Sequence, residues 1–223
     1  MLGFRDLPSV LLPTEVDGLH LAPATRELVG LEVELVEADN REFRLRQILE
    51  DHSRDYDFVI LDCPPSLGML TVNALAAAHG VIIPMQAEYY AMEGLSELLR
   101  AVNQIRRGGL NRDLERFGIV LTMVDPRNNL SRQVEAEVRE HFGDRVFKTC
   151  IPRNVRLGEA PSHGLPILLY DIHSRGAVAY LQLTEELLRR HGVMLCSTIN
   201  EALCLGGKEL AVDGVLSIGE HGS

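Results

Sequence analysis

The chain lacks the long apolar segments of a membrane protein. No stretch of its 223 residues approaches the roughly 18–20 consecutive apolar residues of a transmembrane helix. Residues 1–10 lack a basic segment followed by an apolar core, so we expect no secretory signal. With 46% hydrophobic and 24% charged residues, the composition is that of an ordinary globular chain. These features predict a cytoplasmic protein without a membrane anchor.

Cysteine is scarce and is not arranged for metal binding. The chain has four cysteines, Cys63, Cys150, Cys196 and Cys204, and no two of them have CxxC spacing. The pattern predicts reduced thiols and excludes a cysteine-based zinc or iron–sulfur site.

The chain also lacks the positive charge of a protein that coats nucleic acid, because its formal net charge is −10. The charge is uneven, however. Residues 125–175 contain eight Lys or Arg against seven Asp or Glu, so this segment is slightly basic. A local basic face on an acidic body is therefore compatible with the sequence.

The chain does contain an apolar run that ends in an aspartate. Residues 58–62 read FVILD, and Pro64-Pro65 follows directly. Such a run is typical of a parallel strand buried on both faces, and the two prolines prevent further ladder pairing. Asp62 then lies at the carboxyl end of a strand, where open α/β sheets place their ligand chemistry. It is either a cap for the next loop or the Walker-B aspartate of a P-loop NTPase, which helps to hold Mg²⁺.

Strand and helix patterns alternate along the chain. Further apolar runs predict strands, at 81–84, 117–124, 146–151 and 167–170. Helical periodicity predicts helices, at 26–36, 40–52, 70–78, 93–107, 130–142 and 174–191, with Asn40 as a cap. The alternation predicts an α/β fold, a parallel sheet with helices on both faces. We expect residues 1–192 to form this domain and residues 193–223 to be an extension that packs only against a partner.

The most specific pattern is a series of motifs in a fixed order. They are PTEVDGLHLAPAT (13–25), DFVILDCPPSLG (57–68), IPMQAEYYAMEGLS (83–96), LTMVDPR (121–127), IPRNVRLGEAPSHG (151–164) and YDIHSRG (170–176). Over about four fifths of its length, the chain resembles the ParA/Soj family of chromosome- and plasmid-partitioning ATPases. The resemblance implies a P-loop NTPase-like fold of the SIMIBI/ParA type, with ATP and Mg²⁺ as cofactors. It also implies an ATP-bound homodimer that binds double-stranded DNA without sequence preference, on the nucleoid, until a ParB-type partner stimulates hydrolysis.

The resemblance also implies roles for individual residues. Asp62 matches the catalytic Walker-B aspartate, which holds Mg²⁺ through water. Arg127 and Arg156 match the arginines that hold DNA. Guanidinium groups bind phosphate without reading bases, although both residues are also compatible with ordinary surface arginines.

Three further positions match the surroundings of the adenine base in this family. They are Met123, Pro152 and Asn154.

The chain departs from the family at the phosphate-binding loop. No G-x-x-x-x-G-K-[S/T] pattern occurs in the sequence. Gly206-Gly207-Lys208-Glu209 follows no predicted strand and has no hydroxyl after its lysine. The resemblance therefore implies that the chain begins just before the family's third strand, without the first strands and the loop.

Two functions remain open at this point. One is an amino-terminally truncated partitioning ATPase, and the other is a non-catalytic relative that binds DNA or a partner protein. A MinD-like membrane ATPase is less favoured, because Lys208 is the only Lys or Arg in residues 193–223 and no basic amphipathic anchor is present.

We expect the 223-residue chain to bind ATP–Mg²⁺ weakly and not to turn it over. Phosphoryl transfer depends on positioning and charge stabilisation by a loop that this sequence lacks. Phosphate release in the presence of ATP and Mg²⁺ measures the turnover. Turnover that disappears in Asp62→Ala would contradict the expectation, because another segment or a second chain would then supply the phosphate site.

Overall fold

The computed structural model describes residues 6–25, 28, 30, 34–35, 38–52, 56–64, 66–88, 91–114, 116–190 and 215–218. The chain divides into two compact units. Unit 1 is drawn from residues 1–81, 99–116 and 213–223, and unit 2 from residues 82–98 and 117–212.

The described residues of unit 1 contain short strands, two α-helices and the end of a third. In chain order its elements are β1 (Leu12–Pro13), β2 (His20–Leu21), α1 (Arg44–His52), β3 (Ile60–Cys63), α2 (Met69–Ala77), the start of β4 (Gly80–Gln86), the end of α3 (Ala91–Arg107) and β6 (Val215–Ile218). Strands β1 and β2 form an antiparallel ribbon, and β3 pairs with β6 in parallel.

Strand β3 is more exposed than its sequence predicts. Ile60 is 70% exposed, so the predicted burial of both faces is wrong. Ile60 and Asp62 are exposed, whereas Leu61 and Cys63 are more buried. This alternation is that of a strand covered on one face, and α2 packs against β3. The paired strand β6 lies in the segment predicted as an extension, of which the structure describes only 215–218.

Two buried asparagines hold α2 in unit 1. Asn73 donates from Nδ2 to the carbonyl oxygen of Arg41 at 2.8 Å, and its Oδ1 accepts from the amide of Leu45 at 3.1 Å. Asn111 donates to the carbonyl oxygens of Leu75 and Ala78 at 2.9 and 2.7 Å. A buried amide without partners is costly, so these bonds fix the helix that packs against β3.

Unit 2 contains most of the remaining helices and strands. Its elements are the rest of β4, the start of α3, β5 (Arg116–Thr122, from residue 117), α4 (Asn129–Phe142), α5 (Val155–Glu159), α6 (Ile167–Tyr170) and α7 (Arg175–Arg190). Strands β4 and β5 are neighbours. The amide of Ala87 donates to the carbonyl oxygen of Thr122 at 3.3 Å, so their carboxyl ends lie together, as in a parallel pair.

The segment 146–153 runs parallel to β5 and extends its ladder. Bridges join Ile119 to Val146 and Val124 to Pro152, both parallel. The bonds between the two segments run from Phe147 N to Ile119 O (2.8 Å), Ile151 N to Leu121 O (2.8 Å), Val124 N to Ile151 O (3.1 Å) and Arg153 N to Val124 O (3.1 Å). We call this set of bonds the β5 ladder.

Most of the predicted helices are confirmed, with ends that differ by a few residues. The predictions at 70–78, 93–107, 130–142 and 174–191 correspond to α2, α3, α4 and α7. The predicted helix 26–36 lies largely outside the described residues.

Two local predictions are wrong. Residues 167–170 form the helical turn α6, not a strand, because a run of four apolar residues does not distinguish the two and Pro166 stands at its N-cap. Asn40 precedes the turn at Arg41–Phe43 but has φ of 53°, and its side chain makes no cap hydrogen bond.

Close packing brings α7 against α5 and against the β5 ladder. The core cluster comprises Val120, Phe147, Ile151 and Ala179, with Ile82, Leu157, Leu183 and Leu187 around it. At Gly176 of α7, an added Cβ would lie 2.6 Å from Leu157 Cγ. Glycine at this position leaves the space that the Leu157 side chain occupies, so α5 packs close to α7.

The carboxyl half of α7 clamps the start of the β5 ladder. Glu186 accepts from the amides of Lys148 and Thr149 at 2.8 and 2.9 Å and pairs with Arg190 at 2.7 Å. Arg190 also donates to the carbonyl oxygen of Val146 at 2.8 Å. Burial acts to raise the pKa of Glu186, but the amides of Lys148 and Thr149 and the guanidinium of Arg190 outweigh it, so the pKa is lowered.

We expect Glu186→Gln to lower the free energy of unfolding at neutral pH by about 1–3 kcal/mol, because charge-assisted bonds to two amides are weakened. A lowered folded-state pKa stabilises the fold above the unfolded-state pKa and loses its effect as pH falls through the folded-state value. The difference between wild type and variant should therefore shrink in acid. Urea denaturation at neutral and acid pH measures both effects.

The matched control is Glu185→Gln, one residue earlier on α7. Glu185 is 59% exposed and pairs with Arg189 at 3.6 Å, so its replacement should change stability by about 0.5 kcal/mol or less. Equal destabilisation by the two variants at neutral pH would contradict the clamp.

Candidate functional site

Five of the predicted site residues lie along one edge of unit 2. Met123 and Arg127 follow β5, and Pro152, Asn154 and Arg156 lie at or just beyond the end of the parallel segment. Parallel segments end at the same edge of a sheet, so the β5 ladder brings these five residues to one side of unit 2. We call this region, from Met123 to Arg127 and from Pro152 to Arg156, the β5 edge.

Met123 adopts an unusual backbone conformation at this edge. Its φ is 53°, in the left-handed region, and its side chain is 40% exposed. This conformation costs a non-glycine residue roughly 1–2 kcal/mol and is concentrated at functional sites. It turns the chain between Thr122, whose carbonyl accepts from Ala87, and Val124, whose amide bonds to Ile151.

Asn154 has a structural task within the protein. Its Oδ1 accepts from the amide of Arg156 at 2.8 Å and caps the amino terminus of α5. Only its Nδ2 group then offers donors to a ligand. The predicted contact of Asn154 with an adenine base stays a prediction.

An open cavity of about 370 Å³ lies in unit 2, and Pro152 lines it. The other lining residues are Cys150, His173, Arg175, Val178, Ala179 and Gln182. Neither Met123 nor Asn154 is among them, so the three predicted nucleotide residues do not share this cavity.

The described cysteines are not placed for nucleophilic chemistry. Burial raises the pKa of Cys63 to about 12, and the charge of Asp62 adds to the effect. Burial also raises the pKa of Cys150, and Glu135 acts in the same direction. Since the thiolate is the reactive form, these shifts disfavour nucleophilic chemistry at both sulfurs. Cys63 is 5% exposed and is a small buried residue of β3.

Arg127 is highly exposed but is not free of contacts. Its side chain is 90% exposed, and its Nε and Nη2 donate to the two carboxylate oxygens of Asp125, both at 3.1 Å. The backbone amide of Arg127 also donates to Asp125 Oδ1 at 3.0 Å. These hydrogen bonds from Arg127 lower the pKa of Asp125. The guanidinium is thus held at the surface in a neutral pair.

Arg156 lies among acidic residues. Its Nη1 donates to Glu159 Oε2 at 2.9 Å, and its Nε lies 3.5 Å from Asp171 Oδ2. The hydroxyl of Tyr170 donates to the same oxygen of Glu159 at 3.2 Å. The hydrogen bond to Glu159 raises the pKa of Arg156, and Tyr170 adds to the shift.

Arg153 is a third arginine at the β5 edge that the sequence argument did not single out. It is exposed, its amide bonds to the carbonyl of Val124, and its charge helps to lower the pKa of Asp125. Its place directly after Pro152, at the end of the same parallel segment, was the signal that could have identified it. The β5 edge therefore carries three arginines, a residue type whose guanidinium group can bind phosphate in a bidentate manner.

Asp62 lies in unit 1, exposed at the carboxyl end of β3. Among the described residues, no group of three His, Cys, Asp or Glu side chains could hold a metal ion. A carboxylate such as that of Asp62 is an oxygen donor of the kind that Mg²⁺ takes, but the described residues do not complete a nucleotide–Mg²⁺ site, and no hydrolytic step follows from them.

No helix in the described part of the chain has the length and apolar character to cross a membrane.

Comparison with known proteins gives consistent matches. A family model described as an AAA domain matches residues 2–116. The chain is 54% identical over 190 residues to the chromosome partitioning protein ParA of Myxococcus xanthus, covering 85% of this chain and 67% of that protein. It is also 54% identical over 181 residues to the sporulation initiation inhibitor protein Soj of Bacillus subtilis, covering 81% of this chain and 71% of that protein.

A solved structure supports the fold. The crystal structure of cobyrinic acid a,c-diamide synthase from Mycobacterium smegmatis with bound ATP analogue and magnesium is similar, with a TM-score of 0.71 and 35% identity. The match covers 85% of this chain and 69% of that chain. The predicted fold class, a P-loop NTPase-like α/β fold with a parallel sheet, is confirmed.

The left-handed conformation of Met123 predicts an unusual order of variant stabilities. Alanine retains the Cβ that this conformation disfavours and glycine does not, so Met123→Gly should be more stable than Met123→Ala by about 1 kcal/mol. At exposed Arg132 within α4 the order should be reversed by a similar amount, about 1 kcal/mol, because glycine is the poorer helix former. Urea denaturation of the four variants measures this, and the same order at both positions would contradict the strain at Met123.

Proposed function

The chain belongs to the ParA/Soj family of partitioning ATPases, and on that premise we propose that it acts in DNA segregation by binding duplex DNA at the β5 edge. The observation that carries the proposal is the presence of three arginines, Arg127, Arg153 and Arg156, on one edge of unit 2. Guanidinium groups bind phosphates of any sequence, as a protein that moves whole DNA molecules requires.

The proposal includes a nucleotide-dependent state. We propose ATP and Mg²⁺ as the cofactors of this state, bound only weakly by the 223-residue chain, with Asp62 as a Mg²⁺ ligand through water and Met123, Pro152 and Asn154 next to the base. The ATP analogue and magnesium in the similar solved structure support this assignment. In this state the chain would form a homodimer on the nucleoid, and a ParB-type protein would release it. Residues 1–192 would be the ATPase domain, and 193–223 an extension.

A second candidate function is a non-catalytic module that binds DNA or a partner protein. Two observations favour it. The β5 edge is built within unit 2, and the sequence has no phosphate-loop pattern. The effect of ATP on DNA binding distinguishes the two functions. If ATP–Mg²⁺ leaves the duplex affinity unchanged, the chain acts as the non-catalytic module. If ATP–Mg²⁺ raises the duplex affinity, the chain acts as the ATP-dependent form.

We expect Arg156→Ala to weaken DNA binding about equally on unrelated sequences, and Arg127→Ala to act in the same direction. Removing an arginine that touches one phosphate should also lower the slope of log affinity against log salt by about one. Fluorescence anisotropy with two unrelated duplexes, titrated at several low ionic strengths, measures both the affinity and the slope.

The matched control is Arg189→Ala, which removes the same charge from an exposed residue near the end of α7. The neighbouring Arg190 donates to the carbonyl oxygen of Val146, and Val146 pairs with Ile119 near the start of β5. Arg190 therefore contacts the β5 ladder at the end opposite to the β5 edge. Arg189→Ala should have the smaller effect. If all three variants bind like wild type, the arginines of the β5 edge are ordinary surface charges.

A further inference from the structure

Arg156 is flanked by more negative charge than it can neutralise. Its guanidinium contacts Glu159 at 2.9 Å and Asp171 at 3.5 Å, so the three side chains together carry one net negative charge. Arg127 differs, because its ion pair with Asp125 is neutral. A phosphate that approaches Arg156 therefore meets two carboxylates that compete for the same donors.

From this arrangement we propose that Glu159 and Asp171 act as internal competitors of DNA phosphate, holding Arg156 until a phosphate displaces them. The proposal deepens the proposed function and rests on it, since it concerns the regulation of the same edge. Arg156 is 53% exposed and Glu159 40% exposed, so a phosphate has access and the exchange takes place at the surface.

Tyr170 lowers the free-energy cost of moving Arg156 from Glu159 to a phosphate. Its hydroxyl donates to the oxygen of Glu159 that Arg156 contacts, and its ring stacks on His163 with centroids 5.0 Å apart. When Arg156 turns toward a phosphate, Glu159 keeps the Tyr170 hydroxyl and gains water. The carboxylate of Glu159 therefore always has a hydrogen-bond donor. Separating the ion pair would be costly only if the carboxylate were left without one.

The backbone of Arg156 does not take part in the exchange. Its amide is held by the Asn154 cap at 2.8 Å, and Leu157 of the same short helix packs against Gly176. Only the side chain has to move. Glu159 and Asp171 thus lower the affinity of the β5 edge for a single phosphate without changing the backbone of the edge. Stable binding of DNA then depends more strongly on contacts to several phosphates at once.

The experiment compares duplex binding of wild type, Glu159→Gln, Asp171→Asn, Arg156→Ala and the double variant Arg156→Ala/Glu159→Gln at low ionic strength. An exposed ion pair has a modest strength, so we expect Glu159→Gln to bind about two- to fivefold more tightly, with Asp171→Asn acting in the same direction. The gain should be absent when Arg156 is already alanine. Thermal melts confirm that each variant is folded.

Glu185→Gln is the matched control, because it removes one carboxylate from the opposite end of α7. An equal gain in Glu185→Gln would overturn the proposal, since the effect would then be a general reduction of negative charge. A weaker affinity in Glu159→Gln would also overturn it, and would show that Glu159 orients Arg156 for binding.

A second measurement separates this inference from the proposed function. Retention of the same variants on phosphocellulose reports phosphate binding without duplex DNA. Later elution of Glu159→Gln, dependent on Arg156, supports the competition even if no variant binds DNA, in which case only the DNA-binding function fails. Unchanged elution and unchanged duplex affinity, together with weaker binding in Arg156→Ala, would refute the competition and leave the DNA-binding function in place.

Discussion

The β5 ladder is the constraint on which the arrangement of unit 2 depends. Four backbone hydrogen bonds fix segment 146–153 alongside β5 in a parallel register, with Val124 opposite Pro152. A shift of one residue would reverse the direction of every side chain that follows. The Glu186–Arg190 clamp secures the start of the same segment. The positions of Arg127 and Arg156, 29 residues apart in sequence, both follow from this register.

The sequence was sufficient for the architecture, and less so for local conformations. Strand and helix periodicity located α3, α4 and α7. Prediction from periodicity failed where a local interaction decides the conformation. The apolar run 167–170 folds into a helical turn after Pro166, and β3 is covered on one face only. Periodicity over four residues carries too little information for either case.

The sequence supplies a list of candidate site residues, but not the contacts that these residues make. Nothing in the order Asp-Pro-Arg requires that Asp125 accept from both Nε and Nη2 of Arg127, and nothing in the sequence shows that Asn154 caps α5. The pairing of Arg156 with Asp171 joins residues 15 positions apart and depends on the fold between them. A chain with a net charge of −10 can therefore present arginines for phosphate while a carboxylate accompanies two of them.

The approach of Leu157 to Gly176 couples two parts of unit 2 mechanically. Because the missing side chain of Gly176 leaves the space that Leu157 fills, α5 cannot tilt or slide without opening a gap beside α7 or pressing into it. Close-packed interiors tolerate neither change easily. The long helix α7 therefore contacts the chain on both sides of residues 150–156. Its Gly176 lies against Leu157 of α5, and its Glu186–Arg190 clamp holds residues 146–149.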